Sequence, residues 1–152
     1  MRSFVVRAAI AAGLVFVAIA PPASLAAEGP KAAAATTAKK HKVVFQVSED
    51  DARKWNLTLN NVKNIQDELG RDNVVVEIVA YGPGLNMLKM ESPVGGRVGE
   101  AIQAAVQVVA CENTMRNQKV TKADMLSGIG YVDAGVAELM KRQEEGYAYI
   151  RP

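Results

Sequence analysis

From residue 42 onward, short runs of β-branched residues alternate with helical patterns. The runs KVVFQV (42–47) and VVVEIVA (74–80) are apolar at nearly every position, which is typical of parallel strands buried on both faces. Between them, apolar residues recur every three or four positions from Trp55 to Leu69, which predicts an amphipathic helix. Ser48 and Asp51 resemble a capping box at its start. Strands that alternate with helices in this way predict an α/β fold.

The same alternation continues to the end of the chain. Further strands are predicted at 106–110, 129–132 and 147–150. Further helices are predicted from Ser92-Pro93, after Cys111, over 121–126 and over 135–145, the last with Val136, Leu139 and Met140 facing inward. The predicted architecture is therefore a three-layer α/β/α arrangement with a mainly parallel five-stranded sheet and helices on both faces.

The N-terminal 26 residues have the pattern of a secretory signal. Arg2 and Arg7 precede the uncharged apolar run 8–20, and Ser24-Leu25-Ala26 supplies small residues for cleavage. The run is shorter than the roughly 20 residues that span a bilayer, so we expect export without stable membrane insertion. We predict a signal peptide over 1–26, a flexible linker over 27–41 and a folded domain over 42–152, with a periplasmic location.

The charged residues and the single histidine exclude several classes of function. The predicted signal holds two of the 18 basic residues and none of the 16 acidic ones, so the remaining chain is formally neutral and has no basic stripe for nucleic acid. His41 lies at the end of the predicted linker, which leaves the domain without a histidine base for nucleophilic catalysis. We therefore expect no metal site and no cofactor, and neither a classical hydrolase nor a dehydrogenase.

Cys111 is the only cysteine, and it stands where the strand 106–110 meets a predicted helix. The carboxyl ends of parallel strands are where ligands collect, and a helix N-terminus favours the thiolate. Arg116 or Lys119 would add positive charge if the loop folds back. On this interpretation Cys111 is solvent-accessible and reactive, and on the alternative it is a buried core residue.

Other candidate ligand-binding residues lie at the same predicted edge of the sheet. The turn YGPGLN (81–86) follows its strand, and the backbone at Gly82 and Gly84, with Asn86, could hold an anion. The alternative is a tight turn stiffened by proline. Asn113 and Thr114 follow Cys111, where they serve a ligand or cap the helix. On the first helix, Asn60 and Asn64 share a face, and Trp55 is either core or a wall beside Cys111.

Four separated segments resemble the DsrE/DsrF-like family, in its secreted branch. They are VVFQVSEDDARKWNLTLNNVKNIQDEL, VEIVAYGPGLNML, VVACENTM and GVAELMKRQEEGYAYIRP. The resemblance extends over 41–152 and implies a three-layer α/β/α subunit that assembles into homo-trimers or homo-hexamers. The better-understood relatives are sulfur-relay proteins in which a cysteine at the position of Cys111 carries sulfur as a persulfide.

Two hypotheses for function follow. The first is a periplasmic sulfur-relay-like protein whose Cys111 accepts sulfane sulfur from a donor and passes it to an acceptor protein. The second is a non-catalytic, homo-oligomeric binding module that uses the same cleft for a small ligand or a partner segment. The chemical state of Cys111 distinguishes them.

Overall fold

Five parallel strands form one sheet in the computed structural model, which describes residues 40–152. The strands are His41–Val47 (β1), Val74–Ala80 (β2), Gln107–Cys111 (β3), Gly130–Val132 (β4) and Ala148–Ile150 (β5). Their order across the sheet is β4-β3-β2-β1-β5, and neighbouring strands are parallel. The predicted sheet is confirmed. The predicted signal peptide and residues 27–39 of the predicted linker lie outside the described residues. His41, which the prediction assigns to the linker, is instead the first residue of β1 and pairs with Val74.

Four α-helices connect the strands. They are Ala52–Leu69 (α1), Gly95–Gln103 (α2), Glu112–Gln118 (α3) and Gly135–Glu144 (α4). Within the predicted helix 121–126, only the short 3-10 helix Lys122–Asp124 forms. The steps from β1 to β4 all move in one direction across the sheet, so right-handed connections place α1, α2 and α3 on one face. The step from β4 back to β5 places α4 on the other face. No helix within 40–152 has the length and apolar character to cross a membrane.

The two faces of the sheet carry cores of very different size. Alternate residues of β1, β2 and β3, from Val43 to Ala110, pack with α1, α2 and α3 in one large apolar cluster. The opposite face has a small cluster of Val44, Val79 and Leu139. The three-layer architecture is confirmed, and most of its stabilising apolar burial lies on one side of the sheet.

Two predicted helix starts are wrong. The N-cap of α1 is Asp51, whose carboxylate accepts from the Arg53 N–H at 2.8 Å, while the Ser48 hydroxyl is occupied by Gln46 and Glu49. Helix α2 begins at Gly95 rather than at Ser92-Pro93, because the Ser92 carbonyl first closes a turn onto the Gly95 N–H. Local composition identified both helices but not their first residues.

The predicted orientation of α4 is also wrong at two of three positions. Leu139 is buried, but Val136 is 63 % exposed and Met140 is 56 % exposed. Helix α4 is rotated so that Arg142 reaches Glu77 on β2. Arg142 and Leu139 lie three residues apart and share the inner side of the helix, which turns Val136 and Met140 toward solvent.

Candidate functional site

Cys111 occupies the junction between β3 and α3. It is the last residue of β3, where it pairs with Val132 of β4, and it is also the N-cap of α3. The residue is only 4 % exposed. The prediction of a solvent-accessible thiol is therefore wrong for the single chain, in which Cys111 is buried. Cys111 lies at the carboxyl edge of the sheet, as the sequence predicts, and the structure places it on the side of α4.

Hydrogen-bond donors surround the sulfur of Cys111. The Thr114 N–H donates to Sγ at 3.5 Å, and the Thr114 hydroxyl and the Gly135 N–H are further donors. Burial opposes ionisation of the thiol, but these hydrogen bonds outweigh it, so the pKa of Cys111 lies below its usual value. Because Gly135 begins α4, the sulfur lies between the first turns of two helices.

Replacing Thr114 by valine is expected to raise the pKa of Cys111, because it removes the hydroxyl donor while keeping the side-chain volume. Alkylation by iodoacetamide, followed by mass spectrometry across a pH series, would show the reactivity profile displaced to higher pH. Thr114→Ser keeps the hydroxyl and should leave the profile in place. A Thr114→Val profile that coincides with the wild-type profile would contradict this role.

The charged residues near Cys111 form ion pairs and hydrogen bonds of their own. The Glu112 carboxylate pairs with Lys122 at 2.9 Å, and Arg116 donates to the Asn113 side-chain oxygen at 2.9 Å. Lys119 is exposed at the end of α3. The leading causes of the lowered thiol pKa are therefore neutral hydrogen-bond donors, not the arginine or lysine that the sequence analysis considered.

The structure brings Gly82 and Thr114 to Cys111. The Gly82 N–H donates to the Thr114 hydroxyl at 2.9 Å, and Gln118 donates to the Gly82 carbonyl at 3.1 Å. The turn after β2 is thus joined to α3, and Thr114 connects it to the sulfur. Because the Gly82 N–H donates to Thr114, it is not free to bind an anion.

Gly84 and Asn86 lie apart from the sulfur, whereas the backbone N–H of Asn113 adds to the donors that lower the pKa of Cys111. Gly84 is buried against the carboxyl end of β1, and the Asn86 side chain donates to Asp50 at 2.8 Å. Asn113 is exposed, and its N–H donates to the Asp133 carbonyl at 3.0 Å. Neither Asn113 nor Thr114 caps α3, because the Cys111 sulfur takes that place.

A row of polar side chains continues along the carboxyl edge of the sheet toward β5. Its members are linked in the order Tyr149, Gln46, Ser48, Glu49 and Arg151. Tyr81 lies between this row and Cys111, since a methyl group added at Gly135 would be 3.0 Å from Tyr81 Cβ. The sequence analysis missed Gly135 and this row, because only the strand order places them beside Cys111.

Two other residues considered from the sequence have structural roles. Trp55 is buried in the larger core, on the opposite side of the sheet from Cys111, and its indole N–H donates to the Glu49 carbonyl at 2.8 Å. Asn60 accepts from Arg97 of α2 at 2.7 Å. Asn60 therefore joins α1 to α2 within one chain.

Comparison with known proteins places this architecture in a family. The family model of the DsrE/DsrF-like family matches residues 13–152. A comparison with curated proteins finds no match.

Solved structures of similar fold include three bacterial and archaeal proteins. A protein of unknown function, MTH1491 from Methanobacterium thermoautotrophicum, is 39 % identical with a TM-score of 0.71, over 74 % of this chain and 100 % of that one. A conserved protein of unknown function, BT1422 from Bacteroides thetaiotaomicron, is 16 % identical with a TM-score of 0.61, over 73 % and 94 %. The ychN protein from E. coli is 9 % identical with a TM-score of 0.56, over 75 % and 99 %. The five-stranded parallel sheet and the family match over 13–152 together show that the chain belongs to the DsrE/DsrF-like family.

Proposed function

We propose that this protein is a periplasmic sulfur carrier whose Cys111 holds sulfane sulfur as a persulfide. The family is associated with sulfur relay. The observation that carries the proposal is the set of hydrogen bonds from Thr114 and Gly135, which lower the pKa of a thiol at the carboxyl edge of the sheet. The thiolate is the nucleophilic form of cysteine.

The proposed loading step exchanges one sulfur–sulfur bond for another. The Cys111 thiolate attacks the terminal sulfur of a donor persulfide, R–S–SH. The donor S–S bond breaks, R–S⁻ leaves with the bonding electron pair, and the product is Cys111–S–SH with the donor's proton. Release to an acceptor thiolate is the same exchange in reverse. The Thr114 and Gly135 donors would stabilise the thiolate before loading and after release.

Mass spectrometry of the intact protein tests both the chemistry and the location. Protein from a periplasmic extract is expected to begin at Ala27, within a residue, and to gain one sulfur atom per chain on incubation with inorganic polysulfide. Cys111→Ser should abolish the gain, and cyanide should remove the added sulfur from the wild type. Recovery of a full-length cytosolic form alone would contradict export.

A non-catalytic binding module is the second candidate, because Cys111 is buried. In that case neither polysulfide nor iodoacetamide would modify the native protein, whereas the unfolded protein would react at once. A carrier must instead react while folded, at a rate that depends on Thr114. The two outcomes separate the candidates without knowledge of the partner proteins.

We also propose that the chain assembles into a homo-trimer or homo-hexamer. Support comes from Val136, Met140 and Tyr149, which are 63 %, 56 % and 42 % exposed around α4 and β5. Exposed apolar patches of this kind mark association surfaces. A second copy of the chain is the occupant that the proposal assigns to this patch.

Met140→Glu is therefore expected to shift the molar mass in solution toward that of the monomer, because a carboxylate would be buried in the contact. Light scattering at micromolar concentration measures the change. Leu57→Glu alters an exposed apolar residue of α1 on the opposite side of the sheet and should leave the mass unchanged. A wild-type protein that is monomeric in solution would contradict the proposed assembly.

A further inference from the structure

A groove lies along β3 and β4, on the same face of the sheet as α4 but on the part that this helix does not cover. Its volume is about 440 Å³. The lining residues used below are Glu77, Gln107, Val109, Gly130, Val132 and Arg142. Helix α4 packs on β1, β2 and β5, so the outer half of this face is open beside Arg142.

Glu77 lies at the inner wall of this groove with one carboxylate oxygen unpaired. The residue is in the middle of β2 and is 0 % exposed. Its Oε2 accepts from the Arg142 Nε, but Oε1 is buried and has no hydrogen-bond partner within residues 40–152. An unpaired buried carboxylate oxygen is costly, so a donor arriving from the groove would be strongly favoured.

The charge around Glu77 also favours a cation. The Arg142 guanidinium is shared by three carboxylates, because it pairs with Glu138 at 3.0 Å and Glu145 at 2.9 Å as well as with Glu77. Lys42 lies nearby but donates to the backbone carbonyl of Glu145 at 3.3 Å. The carboxylates around Arg142 therefore exceed their cationic partners, and Glu77 is the one among them that lines the groove.

The lining favours an organic cation over a metal ion. Within the described residues, no group of three or more histidine, cysteine, aspartate or glutamate side chains is placed to hold a metal. Val109 and Val132 instead supply apolar surface to the groove lining near Gly130, and such surface suits methylene groups. We propose that the groove binds an alkylammonium group, a primary ammonium on an aliphatic chain, which donates a hydrogen bond to Glu77 Oε1.

Titration of the ¹⁵N-labelled protein with cadaverine, the diamine with five methylene groups, tests the site. Saturable shifts are expected at the amides of Gln107, Gly130 and Tyr131, with a dissociation constant at or below about 1 mM. Pentanol, which has the same chain length without the charge, should produce none of these shifts. Glu77→Gln should weaken cadaverine binding by about ten- to a hundred-fold, which is the usual contribution of a hydrogen bond to a charged group.

Two further variants keep the test decisive. Gln107→Trp changes an exposed residue at the rim and fills the groove without touching the core, so it should abolish binding even if Glu77→Gln folds poorly. Glu100→Gln makes the same charge change in a separate groove between α1 and α2 and should leave the affinity unchanged. Absence of saturable shifts, or equal binding by wild type and Gln107→Trp, would overturn the proposal.

The ammonium could belong to a small amine or to a lysine of a second copy of the chain. Light scattering during the cadaverine titration distinguishes these sources. A constant molar mass identifies the groove as a site for a free amine, and a mass that falls as cadaverine saturates identifies a lysine displaced from a neighbouring copy. In both cases an ammonium group donates a hydrogen bond to the Glu77 carboxylate.

Discussion

Arg142→Met is expected to lower the free energy of unfolding by about 3–5 kcal/mol at neutral pH. The substitution leaves Glu77 in the middle of the sheet, fully buried and without its counter-ion. Methionine fills much of the space of the arginine stem, so the lost ion pair dominates the change. Urea denaturation monitored by Trp55 fluorescence measures the difference.

The pH dependence of this loss has a definite sign. Burial raises the pKa of Glu77 above its usual value, despite the opposing effect of Arg142. The native state therefore binds a proton more readily than the unfolded state, and stability increases as pH falls through the native pKa toward the unfolded one. Without Arg142 that pKa rises further, so the deficit of Arg142→Met should shrink on acidification.

Two controls separate the ion pair from a general loss of packing. The double variant Glu77→Met with Arg142→Met removes both charges and should recover most of the stability. Arg53→Met disrupts a pair with Asp51 in which the arginine side chain is 93 % exposed, and it should leave the stability nearly unchanged. A single Arg142→Met variant as stable as wild type would show that Glu77 is already neutral at pH 7.

Gly84→Ala is expected to destabilise the fold by about 3 kcal/mol or more. A Cβ at position 84 would lie 2.4 Å from the Val47 carbonyl oxygen, 2.6 Å from its carbon and 2.8 Å from the Ser48 nitrogen. These are backbone atoms, which cannot rotate aside as a side chain can. Either β1 or the segment Gly82–Leu88 must move, and both border the row of polar residues beside Cys111.

Gly96→Ala is the matched control within the same chain. A Cβ at Gly96 meets nothing within 4 Å, and the position lies in the first turn of α2. Alanine there should raise stability by about 0.5–1 kcal/mol, because it restricts the unfolded chain and favours the helix. Thermal or urea unfolding of both variants would show opposite signs, and a Gly84→Ala variant of wild-type stability would refute the packing role.

The strands and the candidate nucleophile were predictable because their signals are local. The run VVVEIVA predicts β2 with its observed bounds, since apolar residues on both faces require burial on both sides. Cys111 was found at a strand end because apolar residues give way to polar ones there. The first residues of α1 and α2 were missed, because competing hydrogen bonds to Ser48 and Ser92 are decided by neighbouring segments.

By itself, the sequence determined the α/β class, the parallel sheet and the position of Cys111 at its carboxyl edge, since residue periodicity encodes which faces are buried. Only the tertiary structure decided that Cys111 is buried, that Gly135 donates to it, and that Arg142 pairs with Glu77 across 65 positions. Strand order and helix rotation set these contacts. Both depend on packing between distant segments, which no local pattern contains.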